Sequence, residues 1–295
     1  MKRLLRHACG WLALAAACAH AQQALDVPFV GTPPAVMDAM LALAKVGKDD
    51  FVIDLGCGDG RLVIAAAKRF GARGYGVDLD GTLVGEAQRE AERQGVKNLT
   101  EFEVRNLYVT DISRATVLTL YLFPRVNLDL RPRLFRELKP GTRIVSHEFD
   151  FGDWQADAQT VVDVPDKPYG PPRSAVYLWI VPADASGRWV WHAAAPATGT
   201  YEVTLEQTFQ KVKPAAGQGA HRIESLRLEG DRLTFVLHAG GQRQEYKGRV
   251  NGDVISGTVS TGDATASWTA TRVARGTMNI EAARTAPPSY AKESR

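Results

Sequence analysis

The chain has 295 residues, 45% of them apolar and 23% charged, with 36 basic residues against 33 acidic ones. Those proportions belong to a globular protein of about two domains, and they exclude collagen-like and wholly disordered chains. Three cysteines are too few for a disulfide scaffold. Beyond the N-terminus no apolar run approaches the roughly 20 residues that span a bilayer.

Lys2, Arg3 and Arg6 open the chain, an apolar stretch runs from Cys9 to Cys18, and Ala19-His20-Ala21 fits a small-x-small cleavage site. These are the parts of a secretory signal peptide over residues 1–21, with Gln22 as the first mature residue. An uncleaved anchor would need a longer stretch. Acylation at Cys18 is the lesser alternative, since Ala15 stands where a larger aliphatic residue is usual. Loss of Lys2, Arg3 and Arg6 takes the basic residues from 36 to 33, equal to the 33 acidic ones. The net charge of +3 is then an export feature and not a nucleic-acid footprint. No nucleic-acid partner is expected. Cleavage leaves Cys57 as the one thiol and leaves no membrane span, so a periplasmic or secreted address is expected.

Residues 34–183, within an expected domain of residues 22–185, alternate strand-like and helical patterns. Phe51-Val52-Ile53 is a short buried strand, Arg61 to Phe70 a helix, Gly74 to Val77 a second strand and Leu83 to Gln94 a second helix. Ala115 to Phe123 is strand-like, Leu128 to Leu138 helical and Arg143 to Ser146 a strand. Val161-Val162 and Ser174 to Val181 read as a closing hairpin across a Pro- and Gly-rich loop. Strands alternating with helices predict an α/β domain, doubly wound on a mostly parallel sheet. Residues 186–275 differ. Tyr201, Val203 and Leu205, then Leu233, Phe235 and Leu237, alternate with polar residues, and the turn dipeptides Glu229-Gly230, Gly240-Gly241, Asn251-Gly252 and Thr261-Gly262 recur. That pattern predicts an antiparallel β-rich accessory domain, a meander or small barrel, with Trp189, Trp191 and Trp268 filling its core or, as the lesser alternative, lining a ligand groove. Residues 276–295 lack periodicity and are expected to form a flexible tail.

Chemistry concentrates in FVIDLGCGDG, residues 51–60. A buried strand ends at Asp54, and Gly56, Gly58 and Gly60 then turn into a helix. Glycines permit positive φ and close approach of backbone to ligand, and a helix N-terminus offers free N–H groups to an anion. Asp78 lies 24 positions beyond Asp54, at the tip of the second strand, where a carboxylate can accept both hydroxyls of a ribose. Dinucleotide binders use Gly-x-Gly-x-x-Gly. The tighter loop here, preceded by an acid, suits S-adenosylmethionine (SAM), whose amino-acid end carries an ammonium and a carboxylate. No Cys/His cluster has metal-ligand spacing, so no metal is expected.

On these residues, 34–183 resemble the seven-stranded class I SAM-dependent methyltransferase domain. DLGCGDGR, LVIAAAKRF and GYGVDLD resemble a narrower group, the ATP synthase c-subunit lysine methyltransferase and its bacterial relatives, whose loop reads DLGSGDGR. The resemblance implies that Asp54, Gly56, Cys57, Gly58 and Gly60 surround the methionine moiety. It also implies that Asp78, with Leu79, takes the ribose and that Asn106, with Leu107, faces adenine through its carbonyl oxygen. Tyr121, in YLFP, falls at the substrate-side motif. The Asn-Pro-Pro-Tyr form of DNA adenine methyltransferases is absent. His147 and Glu148 follow the fifth strand and are candidates for a base that removes the acceptor's proton, beside the orienting effect on which methyl transfer mainly rests. The implied acceptor is a protein lysine, with a small molecule as the alternative. Export conflicts with the cytosolic supply of SAM. The protein then acts before or without export, or uses an unknown donor, or is an exported nucleoside-binding module without transferase activity.

Overall fold

A computed structural model describes residues 29–168, 170–193, 195, 199–216 and 221–281. The expected export signal over residues 1–21 lies outside them, as does 282–295 of the expected tail. No helix among the described residues is long and apolar enough to cross a membrane.

The first half is one sheet of seven strands: β1 (Phe51–Leu55), β2 (Arg73–Asp78), β3 (Thr100–Val104), β4 (Val117–Leu120), β5 (Arg143–His147), β6 (Ala158–Asp163) and β7 (Arg173–Ile180). Their order is β3-β2-β1-β4-β5-β7-β6. The first five run parallel, and β7 is antiparallel to both β5 and β6. Neighbouring residues of one strand serve opposite faces. Val52, Val117 and Val145 pack under α1 (Pro34–Leu43) and α2 (Arg61–Phe70), while Ile53, Leu118 and Ile144 face the other way. Burial on both faces explains why these strands read as unbroken apolar runs. α3 (Gly81–Arg93) completes the first layer by packing Val84, Ala87 and Ala91 against α2 and Phe102.

The second face is covered differently. α4 (Pro124–Glu137) supplies Leu130 and Leu134, and the segment after β5 supplies Phe151 and Trp154. Phe209, from the second half of the chain, completes that core. Its ring lies 6.0 Å from Trp154 and 5.9 Å from Phe135, and the Arg131 guanidinium sits 5.3 Å above it.

The second half is a single antiparallel sheet of eight strands, β8 (Gly187–Ala193) to β15 (Ala264–Arg275). The order places β10 (Lys211–Pro214) and β11 (Arg222–Glu229) at its two edges. These edges come together, so the sheet curls into a nearly closed barrel. All four turn dipeptides fall at the junctions of consecutive strands, and Trp189, Trp191 and Trp268 are buried in the interior. The crossing of β13 (Gln242–Asn251) and β14 (Val254–Thr261) needs glycine: at Gly257 a Cβ would overlap the Lys247 carbonyl.

Two expectations are corrected and one helix was missed. α1 carried no recognised signal in the sequence. β4 is only Val117–Leu120, because the chain leaves the sheet at Tyr121. The tail does not begin at 276: Phe209 N donates to Asn279 O at 3.0 Å, Asn279 N donates to Gln207 O at 2.9 Å, and Ile280 packs against the Trp154 cluster. Backbone pairing with the end of β9 (Gly199–Thr208) holds this segment down.

Candidate active site

At the end of β1 the chain turns over the end of β2. Gly56 N and Cys57 N both donate to Val77 O at 2.9 Å, and Gly58 N donates to Asp78 Oδ2 at 2.9 Å. Asp80 N donates to Asp78 Oδ1 at 3.0 Å, so one carboxylate ties the glycine loop to the β2–α3 turn. Gly58 has φ +52, and a Cβ there would overlap the edge of the Phe29 ring. Both facts favour glycine there. Asp80 caps α3 by accepting from Thr82 N at 2.8 Å.

The turn forms one wall of a cleft of about 100 Å³. Asp54, Gly56, Cys57, Asp78, Leu79, Asn106, Leu107 and Tyr121 all line it. Gly58 lies beneath Phe29, and Gly60 packs against Phe102 and Ala87. Sequence reasoning missed the strap Phe29–Thr32 and the side chains of Met40, Arg61 and Arg105, which also line the cleft. Arg61 directly follows the glycine loop, which was a usable signal. The strap carried none. Arg61 makes a two-point ion pair with Asp59 and donates to Thr32 O at 3.1 Å, fastening the strap to α2. Asp59 thus partners the Arg61 guanidinium and also accepts from Arg61 N at 3.3 Å at the start of α2.

Charge sets what the cleft can hold. Asp54 is buried and accepts from Thr119 Oγ1 at 2.7 Å. Burial raises its pKa to about 7 despite that bond, and the charges of Asp78 and Asp59 add to the rise. Asp54 and Asp78 face the same end of the cleft while Asp59 is compensated by Arg61, so a cation bound there offsets the repulsion between Asp54 and Asp78. SAM, with a sulfonium, an ammonium and a ribose, fits this donor and acceptor set. Cys57 is buried, and burial first, then Asp54, pushes its thiol up, which keeps it protonated. The Asn106 carbonyl oxygen accepts from Tyr108 N at 2.8 Å, capping the 3-10 turn Leu107–Val109 while the residue faces the cleft.

The expected base is placed otherwise. His147 is 1% exposed and lies behind Tyr121, the ring centroids 3.8 Å apart, and not on the cleft wall. Burial, reinforced by Lys167, lowers its pKa to about 3. A group that holds its proton so weakly is a poor acceptor for one from an ammonium. Glu148 lies beyond it, 3.9 Å from His147 Nε2, and pairs with Lys167.

A parallel sheet reversed by one hairpin, with a glycine turn after β1 and an acid at the end of β2, defines a nucleoside-binding α/β enzyme domain. A family model described as the ANTKMT methyltransferase domain matches residues 54–158. A protein-lysine N-methyltransferase of Saccharolobus islandicus (strain REY15A) is 44% identical over 156 residues, which are 52% of this chain and 94% of that protein. The ATP synthase c-subunit lysine N-methyltransferase of Xenopus laevis is 32% identical over 139 residues, 47% of this chain and 61% of that protein. A solved RNA methyltransferase from Salinibacter ruber, in complex with S-adenosyl-L-homocysteine, is 48% identical, with a TM-score of 0.47, covering 51% of this chain and 93% of its own. The chain belongs to the class I SAM-dependent methyltransferases. The family model lies within the first half of the chain, and each of these three relatives covers about half of the chain.

Proposed function

We propose that the protein methylates lysine amines of a protein acceptor. The observation that carries this reading is the Asp78 carboxylate, fixed by Gly58 and Asp80 on the wall of a cleft crowded with carboxylates. The name of the 44%-identical relative supports lysine as the acceptor. In this reading Asp78 and Leu79 hold the ribose, and Asn106 and Leu107 border the adenine. Asp54 and the glycine loop hold the methionine end. Tyr121 borders the path of the acceptor, and His147 is a positioning residue that fixes the Tyr121 ring from behind. Bound there, SAM supplies a sulfonium methyl group open to in-line attack by nitrogen. The protein contributes mainly orientation, which is worth up to about 7–11 kcal/mol in well-aligned systems.

Incubation with tritiated SAM and the ATP synthase c-subunit, followed by hydrolysis, tests the reading. Labelled methyllysine is expected. Label in RNA or a small molecule with none in methyllysine overturns the lysine assignment, and no SAM binding by the folded protein leaves an exported binding module instead. The pattern of residues 1–21 supports export as part of the proposal. N-terminal sequencing of the periplasmic fraction should then begin at Gln22, and recovery of the full-length chain in the cytosol refutes it.

A further inference from the structure

The adenine side of the cleft hangs from the edge of the sheet. β3 is the outermost strand and pairs with β2, and the 3-10 turn Leu107–Val109 follows it. Arg105 N donates to Asp78 O at 2.9 Å and holds the end of β3. Beyond that point, Asn106 Oδ1 accepts from Tyr108 N at 2.8 Å, and Asn106 O accepts from Thr110 Oγ1 at 2.9 Å. These last bonds are internal to the turn. They fix its shape but not its distance from the opposite wall of the cleft.

An anchor reaches the turn from α4. Arg133 Nη1 donates to Leu107 O at 2.8 Å, and Arg133 Nη2 donates to Thr110 O. The same guanidinium pairs with Glu137, through Nε at 2.8 and 2.9 Å to the two carboxylate oxygens and through Nη2 at 2.8 Å. Glu137 lies one helical turn further along α4, so it aims the guanidinium at the two carbonyls. The Arg133 side chain is 13% exposed, and Thr110 is fully buried. A guanidinium presents its donors in a rigid plane, and this one spans Leu107 and Thr110 at once. The Glu137 pair alone would be an ordinary ion pair along a helix. The two carbonyls make it a brace between α4 and the cleft wall, because Leu107 lines the cleft while Arg133 does not.

We propose that Arg133 is a positioning residue for the cofactor: it holds Leu107 and Thr110 where the turn closes on the adenine ring. The inference rests on the reading of the cleft given above, with Leu107 beside the adenine. Arg133 acts through Leu107 and touches no part of the cofactor. A wall left free to shift is in the binding-competent place for only part of the time, and apparent affinity falls by that fraction.

Calorimetric titration of S-adenosylhomocysteine and of adenosine into the full chain tests this. Adenosine keeps the base and ribose and lacks the amino-acid end. Arg133→Met removes the guanidinium and keeps an unbranched stem. Both ligands should bind this variant about tenfold more weakly than wild type, as for a wall correctly placed about a tenth of the time. Glu137→Gln removes only the charge that aims the guanidinium, so it should weaken both ligands in the same direction by a smaller factor. The double variant should be no weaker than Arg133→Met alone, because the two residues act as one unit. A residue that merely stabilised α4 would lower the melting temperature and leave both affinities at their wild-type values. That outcome in a folded Arg133→Met overturns the proposal, as do unchanged affinities in Glu137→Gln if Arg133→Met does not fold. Weaker binding of S-adenosylhomocysteine with unchanged binding of adenosine would put Leu107 at the amino-acid end and overturn it as well. Failure of the wild-type protein to bind either ligand refutes the cofactor reading of the cleft, and the proposal with it.

Discussion

Phe209→Ala tests whether the barrel is part of the catalytic fold. Phe209 sits between β9 and β10, is 4% exposed, and has φ +52. It completes the second face of the sheet, against Trp154, Phe135 and the Arg131 guanidinium. Loss of the ring removes about 1.5–3 kcal/mol of apolar burial. Two ring pairs add about 0.5–1.5 kcal/mol each. The sum agrees with the roughly 3–5 kcal/mol usual for truncating a core phenylalanine to alanine. That is a large part of the roughly 5–15 kcal/mol that separates folded from unfolded domains. Urea unfolding followed by tryptophan fluorescence and far-UV circular dichroism measures it, with Trp154 as a reporter beside the substitution. A loss below about 1 kcal/mol would refute the idea that this ring closes the methyltransferase core.

Other predictions concern the junction and the cleft. A chain ending at Ala185 loses Phe209, and with it the bond from Trp154 Nε1 to Gln210 Oε1; it should melt well below the intact protein by calorimetry, and equal melting temperatures would show the halves to be independent. Asp78→Ala should weaken SAM binding by about 1–3 kcal/mol, the scale of lost charge-assisted hydrogen bonds, and unchanged affinity in a folded variant would remove Asp78 from the ribose. Because the folded pKa of Asp54 is raised to about 7 from 3.8, its contribution to stability is fully present below about 3.8 and is lost as pH rises through about 7. Cationic SAM favours the ionised form, so binding near pH 7 should release a proton; calorimetry in buffers of different ionisation enthalpy would detect it, and identical enthalpies would contradict this. Gly58→Ala forces a Cβ onto Phe29 at positive φ, and should lower both stability and SAM affinity; wild-type values for both would show that the strap yields freely.

What could be read directly from the residues was local. Arg61–Phe70 reads as a helix because its apolar residues follow a helical period, and the glycine loop is legible because backbone conformation and ligand chemistry are both encoded within ten residues. Alternation in Tyr201–Leu205 and Leu233–Leu237, punctuated by turn dipeptides, predicts the antiparallel sheet for the same reason. α1 and β3 carried no recognised signal. The sequence by itself therefore determined the α/β class, the cofactor cleft from Asp54 to Asp78, and the change to an all-antiparallel half. Tertiary structure alone decided the rest. His147 lies next to Glu148 in sequence, but only the end of β5 buries its ring behind Tyr121. Lys167 reaches Glu148 because β6 and β7 pair and bring their loop back over β5. Phe209 belongs to the core of the other half because that face of the sheet has too few helices to cover it. Each of these depends on burial between segments far apart along the chain, which no local pattern records.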